Sequence, residues 1–149
     1  MSPKDPFELA RFQKAQDAHG TYGQALDELR TGTKQSHWMW FVFPQLAGLG
    51  HSETARYYGL RSLDEARAYR GHPVLGPRLL ECAGIVAGLE GRAAADLFGD
   101  IDALKLRSSM TLFHRAAPDE PLFSRVLATY FEGEGDPLTD QLLATTTGP

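Results

Sequence analysis

Residues 34–50 read KQSHWMWFVFPQLAGLG, and this segment brings both tryptophans of the chain together with a lysine and a histidine. Its apolar run is too short to span a membrane. A bare hydrophobic core has no use for its polar side chains, because polar groups taken out of water cost free energy unless each finds a partner. These side chains are Lys34, Ser36, His37 and Gln45. The segment therefore either carries a dense, satisfied hydrogen-bond network or lines a pocket in which a ligand supplies the partners.

The composition predicts one folded domain. The chain has 149 residues, of which 42% are hydrophobic and 23% are charged, so it is long enough to bury a core and should fold without a partner. We expect a single domain over 1–149, with a core from about residue 5 to about residue 144. The net charge is −4 with scattered basic residues, which disfavours duplex nucleic acid as a partner because that binding needs a basic face.

Cysteine usage and the amino terminus indicate a cellular location. The single cysteine, Cys82, excludes an internal disulfide and fits a reducing compartment. The amino-terminal residues lack the basic and then apolar pattern of a secretory signal. We therefore expect a cytoplasmic protein that does not enter the membrane, and the sequence indicates no particular protein partner.

Signals for helix ends recur along the chain. Start signals are Asp5-Pro6, Ser62 with Glu65, and Asp136-Pro137, and stop signals are Gly20, Gly32, Gly71 and Gly99. Apolar residues at helical spacing predict two short helices near the amino terminus. Further helices are predicted at about 62–70, 73–89, 92–98, 101–115, 121–132 and 137–144.

Strand signals are weak. Trp38–Phe43 is aromatic enough for a strand but has no second alternating run to pair with, so we predict a short buried helix that ends at Pro44. The expected fold is all-α, a compact single-domain orthogonal array of about eight to ten short helices with little or no sheet. On a helix Trp38 and Trp40 lie about 200° apart, so one should belong to the core while the other faces a pocket.

A second polar cluster occupies residues 104–113, LKLRSSMTLF. On a helix its polar side chains look outward while Leu104 and Met110 pack inward. These polar residues are Lys105, Arg107, Ser108, Ser109 and Thr111. A cationic, hydroxyl-rich face suits a phosphate. The alternative is a solvated face whose charges pair with nearby carboxylates such as Asp102.

A third cluster, HPVLGPR at 72–78, leads into a predicted helix. Arg78 would lie one turn inside that helix, where the guanidinium and the helix amino terminus could act together on an anion. Alternatively, Arg78 forms a salt bridge with Glu81 or Asp64.

Several familiar mechanisms have no signature here. The cysteine and histidine spacings give no zinc site, and there is no GxxxxGK[ST] loop and no GxSxG elbow. We expect no metal and no resident cofactor.

From Phe12 to Leu138 the chain resembles the family known as domain of unknown function 1810. The resemblance lies in Arg11-Phe12-x-x-Ala15-Gln16, in Lys34–Leu46, in Tyr58-Gly59, in His72-Pro73-x-Leu75-Gly76-x-Arg78-Leu79 and in Lys105–Phe113. It implies a mainly α-helical single domain and leaves the activity open. Members are often labelled calpastatin in genomes, but calpastatin repeats are disordered and polar, whereas this composition demands a packed core.

The order of features is also similar to that of the helical NADAR family, whose members are associated with NAD and ADP-ribose metabolism and remove ADP-ribose from modified bases. The shared order comprises the segment ending at Gln45, Ser62–Ala66, Arg78, the helix at 105–113 and Gly133–Asp136. That family places a glutamate just before the histidine, where this chain has Ser36. Glu53 or Glu65 would have to supply the acid.

The expected function is binding of a phosphorylated small molecule, a nucleotide or an ADP-ribose derivative, in a polar cleft, with hydrolysis of an N-glycosidic bond. His37 would be the acid or base, with Glu65 as the carboxylate and Gln45 orienting the substrate or a water. The expected ligand-binding residues are Lys34, Ser36, Trp38, Trp40, Arg78, Lys105, Arg107, Ser108 and Thr111.

Within this site we expect Arg78, Lys105 and Arg107 to gather within reach of His37 around the phosphate. The alternative function is a non-enzymatic protein-interaction module, in which the aromatic segment is core or a docking patch.

Overall fold

The computed structural model describes residues 5–89 and 91–146, and its regular elements there are helices. They are α1 (Ala10–Asp17), α2 (Thr21–Thr31), α3 (Met39–Val42), α4 (Glu53–Tyr58), α5 (Leu63–Gly71), α6 (Leu75–Gly88), α7 (Ala94–Phe98), α8 (Asp100–Ala116), α9 (Pro121–Phe131) and α10 (Pro137–Thr146), with a 3₁₀ turn at Ala18–Gly20. The compact all-α fold predicted from the sequence is confirmed. None of the helices in these ranges combines the length and the apolarity needed to cross a membrane.

One isolated β-bridge pairs Leu46 with Leu60. The Leu60 N–H donates to the Gln45 carbonyl at 3.0 Å, and the Ala47 N–H donates to the Leu60 carbonyl at 2.7 Å. These two bonds fasten the loop after α3 to the chain that leads into α5.

Most of the helix-end signals act where the sequence places them. The Ser62 hydroxyl accepts the Glu65 N–H at the start of α5, and the Asp136 carboxylate accepts the Thr139 N–H at the start of α10. Gly32 follows α2 with a left-handed φ of 76°, a conformation that glycine adopts without steric cost. Local spacing therefore predicts these boundaries well.

Two of the signals act differently. The helix expected from Pro6 begins only at Ala10, and the Asp5 carboxylate caps it by accepting the N–H groups of Leu9 and Ala10. Gly71 is the last residue of α5 but has no positive φ. The chain instead becomes extended at His72. The Nδ1 atom of His72 accepts two backbone N–H groups at the start of α6.

Helix α8 lies at the centre of the core. It packs against α5, α7, α9 and α10, and its side chains Leu106, Met110 and Phe113 are fully buried. Leu104, which we expected to pack inward, is instead 63% exposed. It lies two residues before Leu106, about 200° away around the helix, and therefore faces the opposite side.

The aromatic segment forms the single turn α3, which ends before Pro44 as predicted. Trp38, just before the turn, is fully buried, whereas Trp40 is only partly buried. The predicted difference in exposure between the two tryptophans is confirmed.

The buried carboxylate of Glu28, on α2, holds the chain that leads into α3. Its Oε1 accepts the backbone N–H groups of Gln35 and Ser36 and the indole N–H of Trp38, at 2.7–2.9 Å. Its Oε2 accepts the Ser36 hydroxyl at 2.6 Å. Burial raises the pKa of Glu28, but the hydrogen bonds outweigh burial and lower the pKa from 4.5 to about 2. This part of the segment is thus a satisfied network, one of the two alternatives posed by its polar residues.

Glu28 should make the protein sensitive to acid. Because its folded pKa lies below the unfolded value, its stabilisation is complete above about pH 4.5 and is lost as the pH falls through about 2. Glu28→Gln should lower the free energy of unfolding at neutral pH by roughly 1–3 kcal/mol and flatten the pH dependence in that window. Urea unfolding at neutral and acidic pH measures both effects. A variant with the parent's stability at every pH would contradict the anchoring role.

Candidate functional site

Two of the sequence segments singled out above meet at one concavity, which we call the Trp40 cleft. It has a volume of about 300 Å³ and lies between the chain from α3 to Gly50, the first half of α8 and the start of α10. Its polar lining consists of Trp40, Gln45, Lys105, Arg107, Ser108 and Asp136. All of these except Asp136 are site residues expected from the sequence.

Gln45 is nine-tenths buried in the wall of this cleft, with 9% of its surface exposed. Its side-chain amide has no hydrogen-bond partner among the residues that the structure describes. Neither atom of this amide is among the fully buried polar atoms that lack a partner in the described residues, so the amide is open to the cleft. The cleft is the side from which partners can reach it.

Gly50 shapes the corner next to Gln45. A Cβ atom at position 50 would lie 3.8 Å from Trp40 Cη2 and 3.9 Å from Gln45 Nε2. The indole and the amide therefore border the same small space. A side chain at position 50 would collide with Ala55, whose Cβ would lie 2.8 Å from the added Cβ.

Lys105 reaches the cleft from α8. Its Nζ lies 3.9 Å from the centroid of the Trp40 ring and 3.1 Å from Oδ1 of Asp102. The other oxygen of Asp102 lies 2.7 Å from Nζ of Lys34, whose side chain is almost completely buried. Burial raises the pKa of Asp102, but the two ammonium groups lower it overall. Two cations thus share one carboxylate, which leaves excess positive charge beside Trp40.

Arg107 fastens the loop that precedes α10. Its guanidinium donates to the backbone carbonyls of Glu134 at 3.1 Å and Gly135 at 2.9 Å. Its nearest carboxylate oxygen belongs to Glu134, at 3.8 Å, and that side chain is 75% exposed. Such an exposed pair neutralises little charge, so Arg107 adds positive potential to the cleft.

Asp136 is the carboxylate of the cleft, and its Oδ2 is fully engaged. It accepts the Ser108 hydroxyl at 3.1 Å and both the N–H and the hydroxyl of Thr139, at 3.1 and 2.5 Å. Thr111 is completely buried; its hydroxyl donates to the Arg107 carbonyl and accepts the Asp136 N–H. Thr111 therefore supports the loop and does not line the cleft.

The mouth of the cleft is apolar. Ile101, Leu104 and Leu138 line it and are 71%, 63% and 49% exposed. Single exposed apolar residues are ordinary on protein surfaces, but three at one opening form a patch.

His37 lies in a neighbouring hollow. It is exposed and lines this hollow together with Asp100 and Asp102 at the start of α8. Ile101 borders both the hollow and the Trp40 cleft. The expected acid or base is therefore adjacent to the cleft but does not line it.

Arg78 does not gather with the other two arginine and lysine side chains. Its guanidinium pairs with Asp17 at 2.8 Å, donates to Gln16 at 3.1 Å and lies over the ring of Tyr22. Helix α6, which carries Arg78, packs against α2, so these partners are supplied by the amino-terminal helices. Neither of the two carboxylates anticipated as salt-bridge partners, Glu81 and Asp64, is the one it pairs with.

Glu65, expected as the catalytic carboxylate, is also part of the scaffold. It is buried, pairs with Arg11 at 3.0 Å and accepts the Arg61 N–H. Ser36 and Trp38 belong to the Glu28 network instead of a ligand site. The polar groups of these three side chains are therefore paired with other groups of the protein.

Sequence reasoning missed Glu28 and the role of Asp136 in the cleft. Glu28 follows Ala25 by one turn, so a carboxylate stands on the apolar stripe of α2, and that mismatch was the available signal. Asp136 was recognised as a helix cap, but its bond to Ser108 joins residues 28 positions apart. Local spacing contains no signal for such a pair.

A comparison with protein-family models matches residues 6–143 to the family described as Protein of unknown function (DUF1810). The chain belongs to this family. Among solved structures, the crystal structure of the conserved hypothetical protein Rv1873 from Mycobacterium tuberculosis is 52% identical to it, with a TM-score of 0.90. That match covers 94% of this chain and 99% of the mycobacterial chain. The search of curated proteins gives no match.

Membership in DUF1810 confirms the resemblance that the sequence motifs indicated. The mycobacterial structure has the same fold over nearly the whole chain. These findings describe a family and a fold and name no ligand or reaction. The chemistry of this DUF1810 protein depends on the residues of its Trp40 cleft.

The two tryptophans of this DUF1810 protein should respond unequally to mutation. Trp38→Ala removes a fully buried indole and one partner of Glu28, so it should lower the free energy of unfolding by roughly 3–5 kcal/mol. Trp40→Ala removes a partly buried ring from the cleft wall and should cost less than half as much. Denaturant unfolding of both variants beside the parent tests this. Equal, large losses would contradict the position of Trp40 in a cleft.

Proposed function

We propose that this protein binds a phosphorylated small molecule in the Trp40 cleft. The amide of Gln45 is the observation that carries the proposal, because this largely buried residue lines the cleft and its amide has no hydrogen-bond partner in the described protein. A ligand that fills the cleft displaces water from this amide and has to supply hydrogen-bond partners in its place.

The charges around Gln45 favour an anionic group on that ligand. Lys105 can turn from Asp102 towards a phosphate without leaving that carboxylate unpaired, because Lys34 remains bound to it at 2.7 Å. Arg107 contributes a second positive charge, and Glu134, the carboxylate that it pairs with, is 75% exposed. Phosphate oxygens are good acceptors for both kinds of cation.

Hydrolysis of the ligand, which the NADAR resemblance implies, would need a free acid or base. Oδ2 of Asp136 accepts three hydrogen bonds that hold the start of α10, and His37 would have to reach the ligand past Ile101. Binding is therefore the function we propose for the cleft. Release of a free base that is lost in His37→Ala, with binding unchanged, would add N-glycosidic hydrolysis to it.

The protein-interaction alternative is favoured by a different observation, the apolar mouth formed by Ile101, Leu104 and Leu138. A docking partner would cover these side chains and would not need Gln45. The same side chains can also close over the apolar part of a small ligand. Dependence of binding on Lys105 separates the two functions.

We also propose a cytoplasmic location. Cys82 is the single cysteine of the sequence and is fully buried. Burial raises the pKa of its thiol to about 12. An inert thiol fits a protein that neither forms nor needs disulfides.

Thermal unfolding in the presence of nucleoside 5′-monophosphates, ADP-ribose and inorganic phosphate tests the binding proposal. A ligand at about 100 times its dissociation constant adds roughly 2.7 kcal/mol, which should raise the melting temperature by about 5–10 °C in a chain of this length. Lys105→Gln should remove most of that shift, because it deletes the movable cation.

The matched control is Lys14→Gln, which deletes one exposed lysine on α1, outside the cleft. It should keep the full shift. Sodium sulfate at the same ionic strength corrects for the general stabilisation by excluded salts. Equal shifts in the two variants would show that the effect is non-specific and that the cleft is not the binding site.

A further inference from the structure

We infer that the Trp40 cleft selects a ligand whose planar group carries a hydrogen-bond donor beside an acceptor, as the edge of a nucleobase does. This inference rests on the proposed function, because it names the ligand class of the same cleft. Gln45 would bind the base of the ligand, whereas Lys105 and Arg107 would bind its phosphate.

The amide of Gln45 requires two different partners. Its Nε2 donates and its Oε1 accepts, and neither has a partner in the described protein. A phosphate could satisfy only the donor. A planar group with an adjacent donor and acceptor satisfies both at once, in the bidentate geometry by which glutamine recognises adenine in nucleic acids.

The surroundings of Gln45 suit a flat ring. The edge of the Trp40 indole borders the same corner, since a Cβ at Gly50 would lie within 4 Å of both side chains. That Cβ would also lie 2.8 Å from the Cβ of Ala55, so the corner is closed behind. A flat group held by Gln45 would therefore lie against the edge of the Trp40 indole.

The positions of the cations then set the direction of the ligand. Lys105 lies against the face of Trp40, and Arg107, two residues further along α8, also lines the cleft. A base held at Gln45 would thus direct its phosphate towards these two side chains. The cleft volume of about 300 Å³ is at the lower limit for ligand clefts, which favours a mononucleotide over a dinucleotide.

Calorimetric titration with matched ligands tests the inference. Adenosine 5′-monophosphate and purine riboside 5′-monophosphate have the same charge and ring system and differ in the exocyclic amine. The adenine compound should bind about 5- to 100-fold more tightly, because without the amine the amide that the bound ligand covers loses one of its two partners. Ribose 5-phosphate should bind more weakly than either. Cytidine 5′-monophosphate distinguishes a purine from a pyrimidine site, and tight binding of either base supports the inference.

The variant Gln45→Met keeps the length of the side chain and removes both hydrogen-bonding groups. It should reduce the ratio between the adenine and purine compounds to about one, while the affinity for ribose 5-phosphate stays within about twofold of the parent's. Gln141→Met, at an exposed position on α10, is the matched control and should keep the parent's ratio.

The outcomes separate the two proposals. If the parent binds the adenine and purine compounds equally, and that binding depends on Lys105, the base edge is not recognised and the present inference fails while the proposed function stands. If no phosphorylated ligand binds, both fail. Should Gln45→Met not fold by circular dichroism, the ligand pair on the parent protein still decides.

Discussion

The carboxylate of Glu28 accepts four hydrogen bonds from Gln35, Ser36 and Trp38, and this arrangement sets the path of the chain between α2 and α3. With Trp38 fixed in the core, Trp40 has to turn away towards α8, because two residues correspond to about 200° of helix. The position of Trp40 in the cleft wall therefore depends on the buried carboxylate of Glu28 on the preceding helix. The anchor costs little to keep ionised, since its bonds lower its pKa more than burial raises it.

Some polar side chains of this protein pair with one another, whereas others have no partner among the described residues. Lys34, Asp102 and Lys105 form a chain in which the middle carboxylate can release one partner and keep the other. Asp136 accepts three hydrogen bonds at its Oδ2 and so joins the start of α10 to α8. Gln45 differs from both cases, because this largely buried residue lines the cleft and its amide has no partner in the described protein.

The sequence was sufficient for the helices, because caps and apolar periodicity act over a few residues, and it also predicted that Trp38 and Trp40 differ. The residue types predicted a single site that contains Trp40, Gln45 and Lys105, because two polar segments in apolar surroundings suggested a shared pocket. Arg78 and Glu65 could not be placed in this way. Their partners belong to α1 and its neighbours, and such pairings depend on how helices pack rather than on local spacing.

The bridge between Leu46 and Leu60 bears on how Gln45 is presented. The hydrogen bonds on either side of Leu46 restrain a stretch that would otherwise be a free loop. Ordering such a loop costs roughly 1–2 kcal/mol of backbone entropy per residue. In this fold that entropy is lost when the chain folds, before any ligand arrives. The amide of Gln45 is thus preorganised, and affinity at this position depends on the contacts that a ligand makes and not on rigidifying the loop that carries it.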